Sequence, residues 1–194
     1  LEAMRQPLED GSIRVTRTAR SMIFPARFML VCAMNPCPCG KFGQPQLQCG
    51  CSPKQVQRYH SKISGPLLDR IDIHIEVRAL KYRELANEDP SENSISIKQR
   101  IIKAHEIQKN RFGKTSNLFN TYMNHRQTRE CCRLDKESQA LLKRAIEEWH
   151  LSTRAYDKIL KVARTIADLA GKQEIEPVHV SEAIQYRALD RLDR

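Results

Sequence analysis

The chain changes character part-way along. Up to about residue 80 its apolar residues come in short runs and alternations, and from about residue 95 they recur at helical spacing. Residues 1–8 read as the end of a helix stopped by Glu9-Asp10-Gly11. Ser12 to Ile23 alternates loosely, with Ile13 and Val15 on one face. FMLVCAM, residues 28–34, is the most hydrophobic seven-residue run, and its length and bulk predict a buried strand, central and parallel. In IDIHIEV, residues 71–77, Ile71, Ile73, Ile75 and Val77 alternate with Asp72, His74 and Glu76, which predicts a half-buried strand. Between them, residues 53–63 suit a short helix with Pro53 in its first turn.

NEDPSENS, residues 87–94, is polar and contains a proline, the composition of a linker. The pattern beyond it predicts helices. Residues 96–111 carry Ile97, Ile101, Ile102 and His105; residues 136–149 carry Ala140, Leu141, Ala145, Ile146 and Trp149. Residues 153–170 carry Tyr156, Ile159, Leu160, Ala163, Ile166, Ala167 and Ala170, with Ser152 as a cap and Gly171 as a stop. Pro177 opens a last short helix reaching about Ala188. Two or three strands and fragments of helix cannot close an α/β sandwich. Either the first part has an unusual fold or residues 1–80 are the second half of a larger domain, and the latter is the expectation.

The formal net charge is +10, with 11 basic against 6 acidic residues in 1–80 and 22 against 17 in 81–194. An excess spread along the whole chain favours a polyanionic partner without specifying one. No apolar run approaches the length of a bilayer span, and the first residues have no signal-peptide pattern, so the expected setting is cytoplasmic, with no membrane partner.

Four of the seven cysteines fall within Met34–Pro53, as Cys37-x-Cys39 and Cys49-x-Cys51 with nine residues between the pairs. Four thiolates satisfy the tetrahedral preference of zinc, and Gly40, Gly43 and Gly50 permit the turns needed to bring the pairs together. With every position spent on a ligand, such a zinc is structural. A disulfide pair, free thiols and an iron–sulfur cluster are the alternatives. Cys131 and Cys132 are adjacent, which suits no disulfide framework, and the reducing cytosol fits the odd count.

Long ordered segments carry a resemblance: LEAMRQPLEDG (1–11), FPARFMLVCAMNPCPCG (24–40), SGPLLDRIDIHIEV (64–77) and LSTRAYDKILKVARTIADLAG (151–171). The chain resembles the C-terminal part of the magnesium-chelatase-like AAA+ ATPases of the bacterial competence-protein type. The resemblance implies an α/β plus all-α chain. Residues 1–86 would be the C-terminal half of a P-loop ATPase core with a zinc-stapled loop, 87–94 a linker, and 95–194 a helical lid domain. In that family the Walker A and Walker B elements lie upstream of residue 1, and no GxxxxGK[ST] occurs here.

The same resemblance assigns roles. Asn35 matches sensor 1, whose amide can donate to a phosphate oxygen and accept from water. Arg70, in GPLLDRID, matches the arginine finger that enters a neighbouring subunit's nucleotide site. Arg154 matches sensor 2, at a helix N-terminus where the field already favours phosphate. Residues 15–23 match a presensor-1 hairpin that faces the channel of ring helicases, with Arg17 and Arg20 against the DNA backbone. Lys54, Arg58 and Lys62, four apart after the cysteines, form a second candidate DNA patch.

The implied whole is a ring homo-oligomer, expected to be a hexamer. It would use ATP and Mg²⁺ to translocate on single-stranded or branched DNA, as a helicase or branch-migration motor in natural transformation and recombination. This chain, without Walker A and B, is expected to be inactive alone. A magnesium chelatase-type ATPase subunit and a non-enzymatic zinc-stapled DNA-binding or assembly module are the alternatives.

Overall fold

The computed structural model describes residues 2–18, 20–44, 47–77, 91–113, 118–187 and 189. These form two compact units. The first holds the described residues up to Ile71 with Glu76 and Val77, and the second holds Asp72–Ile75 and the described residues from 91 onward.

The first unit opens with a 3-10 turn, Glu2–Met4, running into α1 (Arg5–Asp10). Gly11 ends α1 in the left-handed region at φ 60°, where its N–H reaches the Pro7 carbonyl at 3.0 Å. A β-carbon there would strain the backbone and lie 3.1 Å from Arg27 Cγ, so glycine is required on both counts. The chain then enters an antiparallel hairpin, β1 (Ser12–Arg17) and β2 (Arg20–Pro25), in register from Ser12 opposite Pro25 to Arg17 opposite Arg20. Period-two alternation places Ile13, Val15, Met22 and Phe24 on one face, and all four are exposed. The cysteine-bearing segment follows, then α2 (Pro53–His60) and the single turn α3 (Gly65–Leu68), which buries Leu67 and Leu68.

Two predicted strands are absent from the described residues. Residues 28–34 and 71–77 lie in irregular chain with no sheet partner, and Met29, Val31 and Val77 are 88%, 81% and 88% exposed. Alternation does not survive in 71–77: His74 alone is buried, its N–H on the Tyr186 carbonyl at 2.8 Å, while Asp72, Ile73, Ile75 and Glu76 are exposed. A strand exists only through neighbours that take its N–H and C=O groups, and hydrophobic content cannot supply them. Of the expected linker, residues 87–90 lie outside the described residues.

The second unit is a helical bundle. It comprises α4 (Ser94–Phe112), α5 (His125–Cys131), α6 (Lys136–Trp149), α7 (Thr153–Leu169) and α8 (Pro177–Gln185). Side-chain caps start the first four: Asn93, Asn124, Asp135 and Ser152 each accept from an amide three residues on. Gly171, at φ 69°, closes α7 by donating to the Asp168 carbonyl. Helix α7 is the hub of the bundle, burying Ile159, Leu160, Ala163 and Ala167 in one cluster with Leu142, Ala145, Val180 and Ala183. On α6 the buried residues are Ser138, Leu142 and Ala145; Ala145, Ile146 and Trp149 face the core as predicted, whereas Ala140 is exposed. On α4 the buried residues are Ala104 and Gln108, whereas Ile97, Ile101 and Ile102 are exposed. No helix among the described residues is long and apolar enough to cross a membrane.

At the centre of this bundle sits a carboxylate. Asp168, whose side chain has no exposed surface, accepts from both terminal nitrogens of Arg111 (2.8 and 2.5 Å), from Asn120 Nδ2 (2.8 Å) and from Arg164 Nε (3.1 Å). Arg164 in turn caps the Lys172 and Gln173 carbonyls at 2.6 and 2.7 Å, while Gln108 Oε1 accepts from the Asn120 amide. The carboxylate raises the pKa of Arg111, keeping it charged against the cost of partial burial. Removing one member of a buried ion network leaves the others unpaired. Asp168→Ala should therefore lower unfolding free energy by about 3–5 kcal/mol, read as an earlier urea midpoint of the helical circular dichroism signal; an unchanged midpoint would contradict it.

Candidate metal centre

The cysteine segment folds as two limbs. In the first, the Gly40 N–H returns to the Cys37 carbonyl at 3.0 Å, and Gly40 and Gly43 both take φ 77°, a conformation closed to most side chains. The tight turn points backbone N–H groups at sulfur: Phe42 donates to Cys37 Sγ at 3.4 Å, and Lys41 donates to both Cys39 and Cys37. In the second limb the Cys51 N–H donates to the Cys49 sulfur, and the Cys39 N–H reaches across to Cys51. Ser52 then caps α2 through a capping box with Gln55, with Pro53 at the first helical position, so the second limb is anchored to a helix start.

The limbs bring four sulfurs together. Cys37 Sγ lies 3.3 Å from Cys39 and 3.8 Å from Cys49, Cys39 lies 3.6 Å from Cys49, and all four sulfurs fall within 4.8 Å of one another. A tetrahedron with metal–sulfur bonds of about 2.3 Å separates its sulfurs by about 3.8 Å. Every sulfur also accepts at least one backbone N–H, the environment that stabilises a thiolate. Donor set, spacing and hydrogen bonding thus fit a four-coordinate metal ion. All seven cysteines are free, so no pair is spent on a disulfide.

Without metal the four thiols ionise unequally. The Lys41 N–H, then the Cys37 thiol, hold Cys39 down to about 6. Cys51 receives the Cys39 N–H, which favours its thiolate, but the Cys39 sulfur, burial and the two remaining sulfurs outweigh that and push it up to about 12. Cys37 is buried, Cys39 is exposed, and the other two are intermediate. Outside the cluster, Cys132 is buried and pushed up to about 12 by that burial, which makes it an inert filler.

One contact at this centre was not legible in the sequence. His60, at the end of α2, hydrogen-bonds through Nε2 to the Pro36 carbonyl at 2.8 Å, tying the helix after the second limb to the residue before Cys37.

The remaining candidates lie as follows. Asn35 is exposed beside the first limb, its Cγ 3.9 Å from where a β-carbon on Gly40 would stand. Arg70, its side chain 14% exposed, donates to the Pro66 carbonyl at 2.7 Å and pairs with Glu9 across 61 residues of sequence. Its neighbour Asp72 pairs with Lys158 in the second unit. Arg154 is exposed in the first turn of α7. Arg17 and Arg20 are exposed cross-strand partners at the end of the hairpin ladder. Lys54 and Arg58 share a face of α2; Lys62 lies in the turn beyond it, its ammonium 5.7 Å from the Tyr59 ring.

Comparison with known proteins adds the lineage. Residues 1–85 match the family model described as "Magnesium chelatase, subunit ChlI", and residues 91–187 match "Magnesium chelatase, subunit ChlI C-terminal". The chain belongs to the magnesium-chelatase-like family. It is 44% identical over 193 residues to Competence protein ComM of Haemophilus influenzae, covering 99% of this chain and 37% of that protein. Over the same shares it is 39% identical to the Escherichia coli protein YifB and 38% identical to YifB of Salmonella typhimurium, both described as uncharacterized. The chain therefore spans little more than a third of the length of these relatives.

Two measurements follow from the cluster. Mass spectrometry of the native protein should show one bound metal ion per chain, lost in Cys37→Ser; metal retained by that variant would rule out the quartet as its ligands. In chelated protein, Cys39 should be alkylated with a pH midpoint near 6 while Cys51 stays protected through neutral pH. Because the folded Cys39 thiol lies below its ordinary value of 9.0, its thiolate favours the folded state above that pH, and this contribution fades as pH falls through about 6.

Proposed function

We propose that this chain is the sensor and lid portion of a ring-forming AAA+ ATPase that moves on DNA, and that its cysteine quartet holds a structural zinc ion. The observation that carries the reading is the 44% identity, across nearly the whole chain, to a protein named for competence. In this reading residues 1–86 complete a P-loop core, 87–94 link it to the lid, and 95–194 form the lid. Asn35 is sensor 1, Arg70 the finger offered to the next subunit and Arg154 sensor 2. The parent protein binds ATP and Mg²⁺ through elements outside this chain and works in the cytoplasm as a homo-oligomer, expected to be a hexamer.

The hairpin supports the DNA part of the reading on physical grounds. Arg17 and Arg20 stand directly opposite each other. Like charges so paired repel, and a phosphate backbone lying against them relieves that repulsion. Lys54, Arg58 and Lys62 form the secondary patch. Zinc is favoured over an iron–sulfur cluster because nothing beside the quartet calls for electron transfer, and closing the loop is a structural task. The irregular, exposed apolar segments 28–34 and 71–77 are read as strands whose sheet neighbours belong to the other half of the core.

The family description favours one rival, a chelatase subunit that spends ATP on metal insertion. ATP hydrolysis by the full-length protein, with and without single-stranded and forked DNA, separates the two. DNA-stimulated turnover that collapses in Arg70→Ala is expected. Full activity in that variant removes Arg70 as the finger, and turnover indifferent to every DNA moves the chelatase reading ahead. Replacing both hairpin arginines by Ala should weaken single-strand binding and reduce the slope of log K against log salt by about 1.4.

A further inference from the structure

The clearest long-range clasp in the first unit joins α1 to the α3 segment, 60 residues away. Arg5 and Glu9 lie four apart and therefore on one face of α1. Arg5 donates to Ser64 Oγ at 3.0 Å, and Ser64 is also the residue that caps α3 by accepting from Leu67. Glu9 pairs with Arg70, two residues past the end of α3, and the Pro66 carbonyl accepts from the other terminal nitrogen of the same guanidinium at 2.7 Å. Both ends of the short α3 segment are thus held by one face of one helix.

This arrangement does little for stability. Glu9 is 41% exposed, and partly solvated ion pairs contribute little to folding. What two partners on different elements do achieve is to fix the plane and direction of a guanidinium that otherwise samples many rotamers. An arginine acting on a transferring phosphoryl group depends on such pre-alignment.

We propose that Glu9 is the positioning residue of Arg70: its carboxylate, with the Pro66 carbonyl, holds the guanidinium in the orientation in which it acts on a neighbouring subunit's nucleotide. This rests on reading Arg70 as the arginine finger, and the test separates the two. In the full-length protein, kcat and KM for ATP are measured for wild type, Glu9→Gln, Glu9→Asp, Arg70→Lys, Arg70→Ala and the Glu9→Gln/Arg70→Lys double variant. Glu9→Gln should lower kcat about tenfold with KM within twofold, and Glu9→Asp, which keeps the carboxylate, should recover part of the rate.

In the Arg70→Lys background, Glu9→Gln should cost little more, because a residue that acts through another loses its effect once the other is altered. Wild-type kcat in Glu9→Gln, or equal losses in both backgrounds, overturns the role of Glu9 while leaving the finger standing. Wild-type kinetics in Arg70→Lys and in Arg70→Ala overturn the finger and this proposal with it. Unchanged far-ultraviolet circular dichroism in each variant excludes a folding defect as the cause.

Discussion

Asp168 is an anion with no exposed side-chain surface, and such a group is tolerable only when its charge is answered and its lone pairs are filled. Arg111 and Arg164 answer the charge, and Asn120 fills a further site. Each partner comes from a different part of the bundle: Arg111 from α4, Asn120 from the turn before α5, and Arg164 from α7 itself, which passes the constraint on to the loop carbonyls of Lys172 and Gln173. The apolar residues of α7 would tolerate several rotations of neighbouring helices. A bidentate guanidinium–carboxylate pair tolerates far fewer, so the network selects one packing from among those that hydrophobic burial allows.

The first unit is held differently. Its buried described residues are only Pro7, Cys37, Leu67 and Leu68, too few to order some seventy residues by hydrophobic burial. Its distant segments meet instead through pairwise ties, each weak by itself: the cysteine limbs, His60 on the Pro36 carbonyl, Arg5 on Ser64 and Glu9 on Arg70. Among these the thiol quartet is the one a ligand can strengthen greatly. A bound metal converts four weak sulfur contacts into bonds and supplies the centre that the apolar residues do not.

What the sequence disclosed follows from this division. Local chemistry was readable: Ser152 and Pro53 mark helix starts, Gly11 and Gly171 mark ends, and the cysteine spacing marks a ligand set, because each works within a few residues of itself. Contacts between ordinary polar residues far apart were not. Nothing about Arg111, Asn120 or Glu9 sets it apart from any surface residue until the fold brings its partner to it. The strands at 28–34 and 71–77 failed for another reason. Alternation and bulk report which surface a residue seeks, and the described chain contains no neighbour to complete either ladder.

That failure bears on how the proposed motor is built. Met29, Val31 and Val77 expose large apolar side chains within the unit that has the smaller core, in a chain spanning little more than a third of its relatives' length. Exposed apolar surface of this kind marks an interface more often than a solvated face. On the proposed reading, the residues flanking Asn35 and Arg70 are the ones that dock against the nucleotide-binding half. Packing between the two halves of the core would then set the positions of both groups, and the cysteine loop and the α1 clasp would hold their immediate surroundings in shape for it.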